Sequence, residues 1–146
     1  MFIVQAFHGR EISPSPEQNL RKRISFNKGG AKMSNFVVLV VEDDAFHREL
    51  IADLFKDRGL EVVETSTAEA AELILSTAGT ELKALVADIK LAGGMSGVQL
   101  AEYARGLFPH LKVVLISGNA PPYIPEATRF LLKPYTSQAL LEAALV

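Results

Sequence analysis

The sequence predicts an α/β fold, a doubly wound sheet of five parallel strands with helices on both faces. Three observations predict it. Short apolar, β-branched runs alternate with stretches of helical periodicity along residues 35–146. One run, Phe36–Val41 (FVVLVV), is apolar without a break, as a strand covered on both faces must be. Glycine, proline and capping residues stand at the joints between the runs, leaving strand–helix–strand units whose right-handed crossovers put helices on both sides of one sheet.

Each element follows in order. After the strand Phe36–Val41, residues Ala45–Arg58 show helical spacing at Phe46, Leu50 and Leu54 and again at Ile51 and Phe55, with Gly59 as the stop. The stripe Phe46, Leu50, Leu54 is expected in the core. Glu61–Thr65 (EVVET) is a second strand, polar enough to belong at a sheet edge. Ser66-Thr67-Ala68-Glu69 has capping-box spacing and opens a helix to about Ala78, before Gly79. Leu82–Ala87 is a third strand that ends at Asp88. Ser96-Gly97-Val98-Gln99 is a second capping box, opening a helix to about Leu107 that Pro109 closes. Leu111–Ile116 (LKVVLI) and Arg129–Leu132 are the fourth and fifth strands, and Thr136–Leu145 is the last helix. Asn119–Ala127 (NAPPYIPEA) carries Pro121, Pro122 and Pro125, and proline inside a helix removes a hydrogen bond and clashes with the preceding turn.

Composition narrows the function classes. The chain has 146 residues, 49% of them apolar, which suits one domain with a real core. It has no cysteine, which excludes disulfides and thiolate metal sites, and its three scattered histidines, His8, His47 and His110, offer no zinc spacing. The run Phe36–Val41 is far too short to cross a bilayer, so no membrane association is expected and the protein is read as cytoplasmic. The net charge of −2 divides unevenly: residues 1–34 hold six Lys/Arg against two acids, and residues 35–146 hold nine against fifteen. An acidic folded part argues against nucleic acid as a partner. Residues 1–34, with Pro14, Pro16, Arg21-Lys22-Arg23 and Gly29-Gly30, are expected to be a disordered basic extension. Lys28-Gly29-Gly30 has purine-rich codons just ahead of Met33, as a ribosome-binding site would, so Met33 is expected to be the true start.

Chemistry gathers at the strand ends. The first strand leads into Glu42-Asp43-Asp44, the third into Asp88, the fourth into Ser117 and the fifth into Lys133. In a parallel sheet these ends point the same way, and the ligand crevice lies beyond them. Each residue alone has a plain structural use: Asp44 as a helix N-cap, Asp43 as a solvated loop acid, Ser117 as a turn residue, Lys133 as a surface lysine before proline. Together they form a site. Clustered carboxylates repel unless a cation sits among them, and hard oxygen ligands suit Mg²⁺.

The motifs VVEDD (40–44), Asp88 after an apolar strand, the pair Ser117-Gly118 and FLLKP (130–134) resemble, in order and over nearly the whole domain, the receiver domains of bacterial two-component response regulators. The resemblance implies a CheY-like, flavodoxin-like sheet with strand order 2-1-3-4-5. It implies Asp88 as phosphoacceptor, charged by a sensor histidine kinase or a phosphotransfer protein. Asp43 and Asp88 would bind Mg²⁺ directly, Glu42 through water and Lys90 through its backbone carbonyl. Ser117 and Lys133 would contact the phosphoryl group, Ser117 and Phe130 would form the switch, and Lys133-Pro134 would be a cis peptide.

Three departures qualify the resemblance. The loop after Asp88, IKLAGGMSG, has Ala92 where proline is usual and one extra residue before Gly97. Only sixteen positions separate Ser117 from Lys133, so the family's fourth helix is expected to be reduced or absent, and dimerisation through that surface with it. The chain stops at Val146, which implies output through a downstream protein partner, as a signal transmitter or a phosphate sink. No enzymatic activity is expected beyond Mg²⁺-dependent self-phosphorylation and self-dephosphorylation. The alternative is a receiver-like protein-binding module that works without phosphorylation. A haloacid-dehalogenase-like phosphatase ranks third, because it needs an acid two residues after the nucleophile and Lys90 stands there.

Overall fold

The computed structural model describes residues 37–146 and the single position Pro16. The expected extension over residues 1–34, the start at Met33, His8 and Phe36 lie outside the described residues. In chain order the elements are β1 (Val37–Val41), α1 (Ala45–Lys56), β2 (Glu61–Thr65), α2 (Ala68–Ala78), a 3-10 turn (Gly79–Glu81), β3 (Ala84–Asp88), α3 (Gly97–Leu107), β4 (Lys112–Ser117), β5 (Thr128–Leu132) and α4 (Ser137–Leu145). Every strand pairing is parallel and the order is β2-β1-β3-β4-β5. The polar strand Glu61–Thr65 is an edge, as its sequence required.

Strand alternation sorts the core into two layers. Leu39, Val41, Leu85 and Leu115 face α2 and α3, where Leu75, Ala71, Leu100 and Ala104 meet them. Val38, Val40, Val86, Val114 and Ile116 face the other way, onto Ile51 and Phe55 of α1 and Leu140 and Ala144 of α4. β1 and β3 are buried at every position, which accounts for their uninterrupted apolar sequences.

The α1 stripe departs from expectation. Phe46 is 65% exposed and Leu50 50% exposed, while Ile51, Ala52 and Phe55 are the buried residues of the helix. Two apolar stripes one residue apart share the same helical period, and the sheet covers the second. Leu54 lies between them, half-buried against the core.

Side-chain caps fix where the helices begin. Asp44 caps α1, its Oδ1 accepting the His47 N–H at 3.0 Å. The second helix is capped by Thr67, whose Oγ1 accepts from the Ala70 N–H at 3.1 Å, and the expected Ser66–Glu69 box does not form. At α3 both bonds of the Ser96–Gln99 capping box are present. Residues 118–127, between β4 and β5, form no helix, and Ala127 there has φ 58°. The chain thus has four helices of eight or more residues among the described residues, with α4 returning directly after β5.

Candidate functional site

The β1, β3, β4 and β5 ends open on one edge of the sheet. Register alone brings them together, because Asp88 is level with Ile116 and Ser117 with Leu132, one residue before Lys133. The backbone continues this alignment past the strands: Ile89 N–H donates to the Ile116 carbonyl at 2.9 Å, and Lys133 N–H to the Ser117 carbonyl at 2.9 Å. The Lys133–Pro134 peptide is cis.

Asp88 is 8% exposed and both its oxygens are engaged. Oδ2 accepts from Lys133 Nζ at 2.7 Å, and Oδ1 accepts from the Lys90 N–H at 3.1 Å. Glu42 is 3% exposed, and its Oε2 accepts from the Asp44 N–H at 3.1 Å. Asp43 is exposed beside it. Ser117 is buried, with its Oγ accepting from the Asn119 N–H at 3.2 Å. Phe130 stands on β5, partly buried against the layer shared with α2 and α3.

The electrostatics show an excess of negative charge. Glu42 is pushed up to about 7, chiefly by burial, against the Asp44 N–H bond and with the help of the Asp88 charge and its contacts with Asp43 and Asp88. For Lys133, burial opposes the ammonium, yet the hydrogen bond and charge of Asp88, followed by the charges of Glu42 and Tyr135, outweigh it and raise the group above its ordinary value. Tyr135, next in chain to the cis proline, is also raised, first by burial. Among the described residues no three His, Cys, Asp or Glu side chains close into a metal cage. Mg²⁺ does not require one: it keeps several waters and takes one or two carboxylates. The neighbouring Glu42, Asp43 and Asp88 carboxylates, with Glu42 raised chiefly by burial, are a hard-oxygen donor set that fits such a cation.

Sequence reasoning missed two residues. Arg48 of α1 donates through Nη1 to the Glu42 carbonyl at 2.8 Å and lies 3.7 Å from Glu64 Oε1 on β2, tying the acidic loop to the edge strand. Glu69 reaches from α2 to the loop after Asp88, where its Oε2 accepts from the Gly94 N–H at 3.0 Å. Neither is legible from spacing, since each bonds to backbone outside its own helical period. His47, by contrast, is an exposed α1 residue near Asp44, as expected of a surface histidine.

Gly97 closes the site from behind. A Cβ at this position would overlap the Asp88 carbonyl oxygen and stand 2.8 Å from Ile89 Cα, both backbone atoms that cannot turn aside. Gly97→Ala is expected to cost about 2 kcal/mol, the usual scale of overpacking, and urea unfolding measures it.

The response regulator receiver domain pattern matches residues 38–145. Nodulation protein W of Bradyrhizobium diazoefficiens is 34% identical over 117 residues, 75% of this chain and 49% of that protein. Response regulator protein FleR of Pseudomonas aeruginosa is 36% identical over 111 residues, 72% of this chain and 23% of that protein. The chain therefore spans half or less of the length of these relatives. Among solved structures, the response regulator receiver protein from Sinorhizobium medicae WSM419 superimposes with a TM-score of 0.69 at 27% identity, covering 75% of this chain and 91% of that one. No helix among the described residues is long and apolar enough to cross a membrane. With the strand order, the clustered acids and the Asp88–Lys133 pair all accounted for by one pattern, the chain belongs to the response regulator receiver domain family of two-component signalling.

Proposed function

We propose that this receiver unit, residues 35–146, is a switch driven by phosphorylation of Asp88. The observation that carries this reading is the Asp88 carboxylate, fixed between Lys133 Nζ and the Lys90 N–H at the strand-end crevice. A carboxylate is a weak nucleophile, so positioning and charge neutralisation must supply the rate. In the transfer, the P–N bond of a phosphohistidine on a sensor kinase or phosphotransfer protein breaks as an Asp88 oxygen bonds to phosphorus. The departing imidazole then takes up a proton.

Asp43 and Asp88 would hold Mg²⁺ directly, with Glu42 through water and Lys90 through its backbone carbonyl, and the bound cation would supply neutralisation of the phosphoryl and carboxylate charge. Lys133 leaves the Asp88 carboxylate for a phosphoryl oxygen. Ser117 Oγ gives up the Asn119 N–H to meet another, and the movement opens space that Phe130 fills. Such a displacement biases a pre-existing equilibrium between two surfaces, which a downstream protein reads. The acidic domain favours a protein partner over nucleic acid, and the role is that of a signalling domain with only self-phosphorylation and self-dephosphorylation as chemistry.

Intact-protein mass after incubation with acetyl phosphate tests the proposal. With Mg²⁺ the protein is expected to gain one phosphate, and with EDTA to gain none. A folded protein that gains no phosphate from acetyl phosphate or from a panel of phosphorylated kinases would overturn it in favour of a phosphorylation-independent binding module.

A further inference from the structure

The loop that follows Asp88 carries two adjacent glycines, Gly93 and Gly94. It is anchored at both ends. The Lys90 N–H is bonded to Asp88 Oδ1, and the Gly97 N–H donates to the Ile89 carbonyl at 2.9 Å, just behind the Ser96 capping box. Between those anchors Glu69 supplies a third attachment from another element. Its Oε2 accepts the Gly94 N–H at 3.0 Å across 25 positions of sequence.

The glycines are shaped to this contact. Gly93 has φ +100°, a backbone conformation that residues with a Cβ rarely adopt, and a Cβ there would stand 3.0 Å from Glu69 Oε1. At Gly94 a Cβ would lie 3.6 Å from Oε2, an ordinary contact. Glu69 is also released from the role its spacing suggests: Thr67, not Ser66, caps α2, so the carboxylate sits in the first turn of the helix with no capping duty. An acid in a first helical turn is favoured there by the unpaired N–H groups of the helix start.

From this geometry we infer that Glu69 is a positioning residue for Asp88, acting through the Gly93-Gly94 loop. The connection is short: Glu69 holds Gly94, the held loop fixes the backbone at Lys90, and the Lys90 N–H orients Asp88 Oδ1. The Lys90 carbonyl, on the same segment, is held with it. Without the attachment, residues 91–95 keep the packing of Leu91 and Met95 against the core but lose the hydrogen bond that fixes their backbone from α2, and the Lys90 amide gains freedom to turn from the carboxylate. The inference rests on the reading of Asp88 as phosphoacceptor for its functional consequence, but not for its structural one.

Amide hydrogen exchange by NMR on the full chain, without metal or phosphodonor, reads the structural part. Glu69→Ala is expected to speed exchange of the Gly94 and Lys90 amides together by about fivefold, the worth of one modest hydrogen bond, while β1 and β4 amides keep their protection. Glu69→Gln, which retains an acceptor oxygen, should restore most of the Lys90 protection. Gly93→Ala should match Glu69→Ala, and Gly94→Ala should behave as wild type. The same proteins are then compared for Mg²⁺ affinity by calorimetry and for initial rate of phosphate uptake from acetyl phosphate, both expected to fall about fivefold in Glu69→Ala. Faster exchange at Gly94 with Lys90 unchanged overturns the inference, as does an equal loss of protection throughout the sheet. Wild-type protein that takes up no phosphate, with the exchange pattern as expected, overturns the phosphoacceptor reading and leaves the positioning of Asp88 standing.

Discussion

Asp88→Ala and Asp88→Asn proteins are expected to gain no phosphate mass under conditions in which the wild type gains one. Both changes remove the only oxygen nucleophile that the crevice places between Lys133 Nζ and the Lys90 N–H. The asparagine variant is the sharper of the two. Its side-chain oxygen can still accept from the Lys90 N–H, and its shape is that of the carboxylate it replaces, so the fold should survive by circular dichroism. What disappears is the negative charge that makes a carboxylate oxygen able to attack phosphorus. A phosphate gain retained in Asp88→Asn would move the acceptor to another residue, with Asp43, the exposed acid nearest in sequence to Glu42, the first to examine. The asparagine change also removes one of the charges that push Glu42 up, so Glu42 should titrate closer to its ordinary value in that variant. The two readouts are independent, one by mass and one by NMR titration of the Glu42 side chain.

Much of this site is legible in the sequence because it is built from strand ends. A strand buried on both faces announces itself by an unbroken apolar run, and the residue after the run is placed by the sheet whatever follows. That is how the sequence alone places Glu42, Asp88, Ser117 and Lys133 at one edge. The Ser96–Gln99 box and the three prolines of residues 119–127 were legible for a similar reason: caps and breakers act within a turn of their own position.

What the sequence withheld is contact between elements. Phe46 and Leu50 match helical periodicity as well as Ile51 and Phe55 do, and only the angle at which α1 lies on the sheet decides between the stripes. Ser66 and Thr67 are both competent caps with acceptable residues after them, and a shift of one residue frees Glu69 to bond Gly94. Arg48 bonds a backbone carbonyl six residues earlier, just past the end of β1, where no periodic rule points. These are tertiary choices among local options of nearly equal energy.

Glu42 gives the protein a dependence on pH that Mg²⁺ should abolish. Its folded value of about 7 stands above the ordinary glutamate value of 4.5. Between those two values the folded protein holds a proton that the unfolded chain has released, so stability is expected to fall as pH rises through that window. Above about pH 7 both states are ionised and the full cost applies, on the order of 3 to 4 kcal/mol at roughly 1.4 kcal/mol per pH unit of displacement. Below 4.5 both are protonated and the cost is absent. The other displaced groups act elsewhere on the scale: Lys133 is raised from 10.5, Tyr135 is raised from 10.0, and Asp44, bonded to the His47 N–H, is lowered from 3.8, so none offsets the fall. Metal-free protein should therefore show a lower urea midpoint at pH 7.5 than at pH 5. A divalent cation among the acids favours the ionised Glu42, so added Mg²⁺ should raise the midpoint at pH 7.5 and leave it nearly unchanged at pH 5. Glu42→Gln, neutral throughout, should flatten the profile and make metal-free protein more stable than wild type at pH 7.5. A wild-type profile already flat from pH 5 to 7.5 in EDTA would mean that the crevice accommodates its charges without a cation, and the case for Glu42 as an outer metal ligand would fall with it.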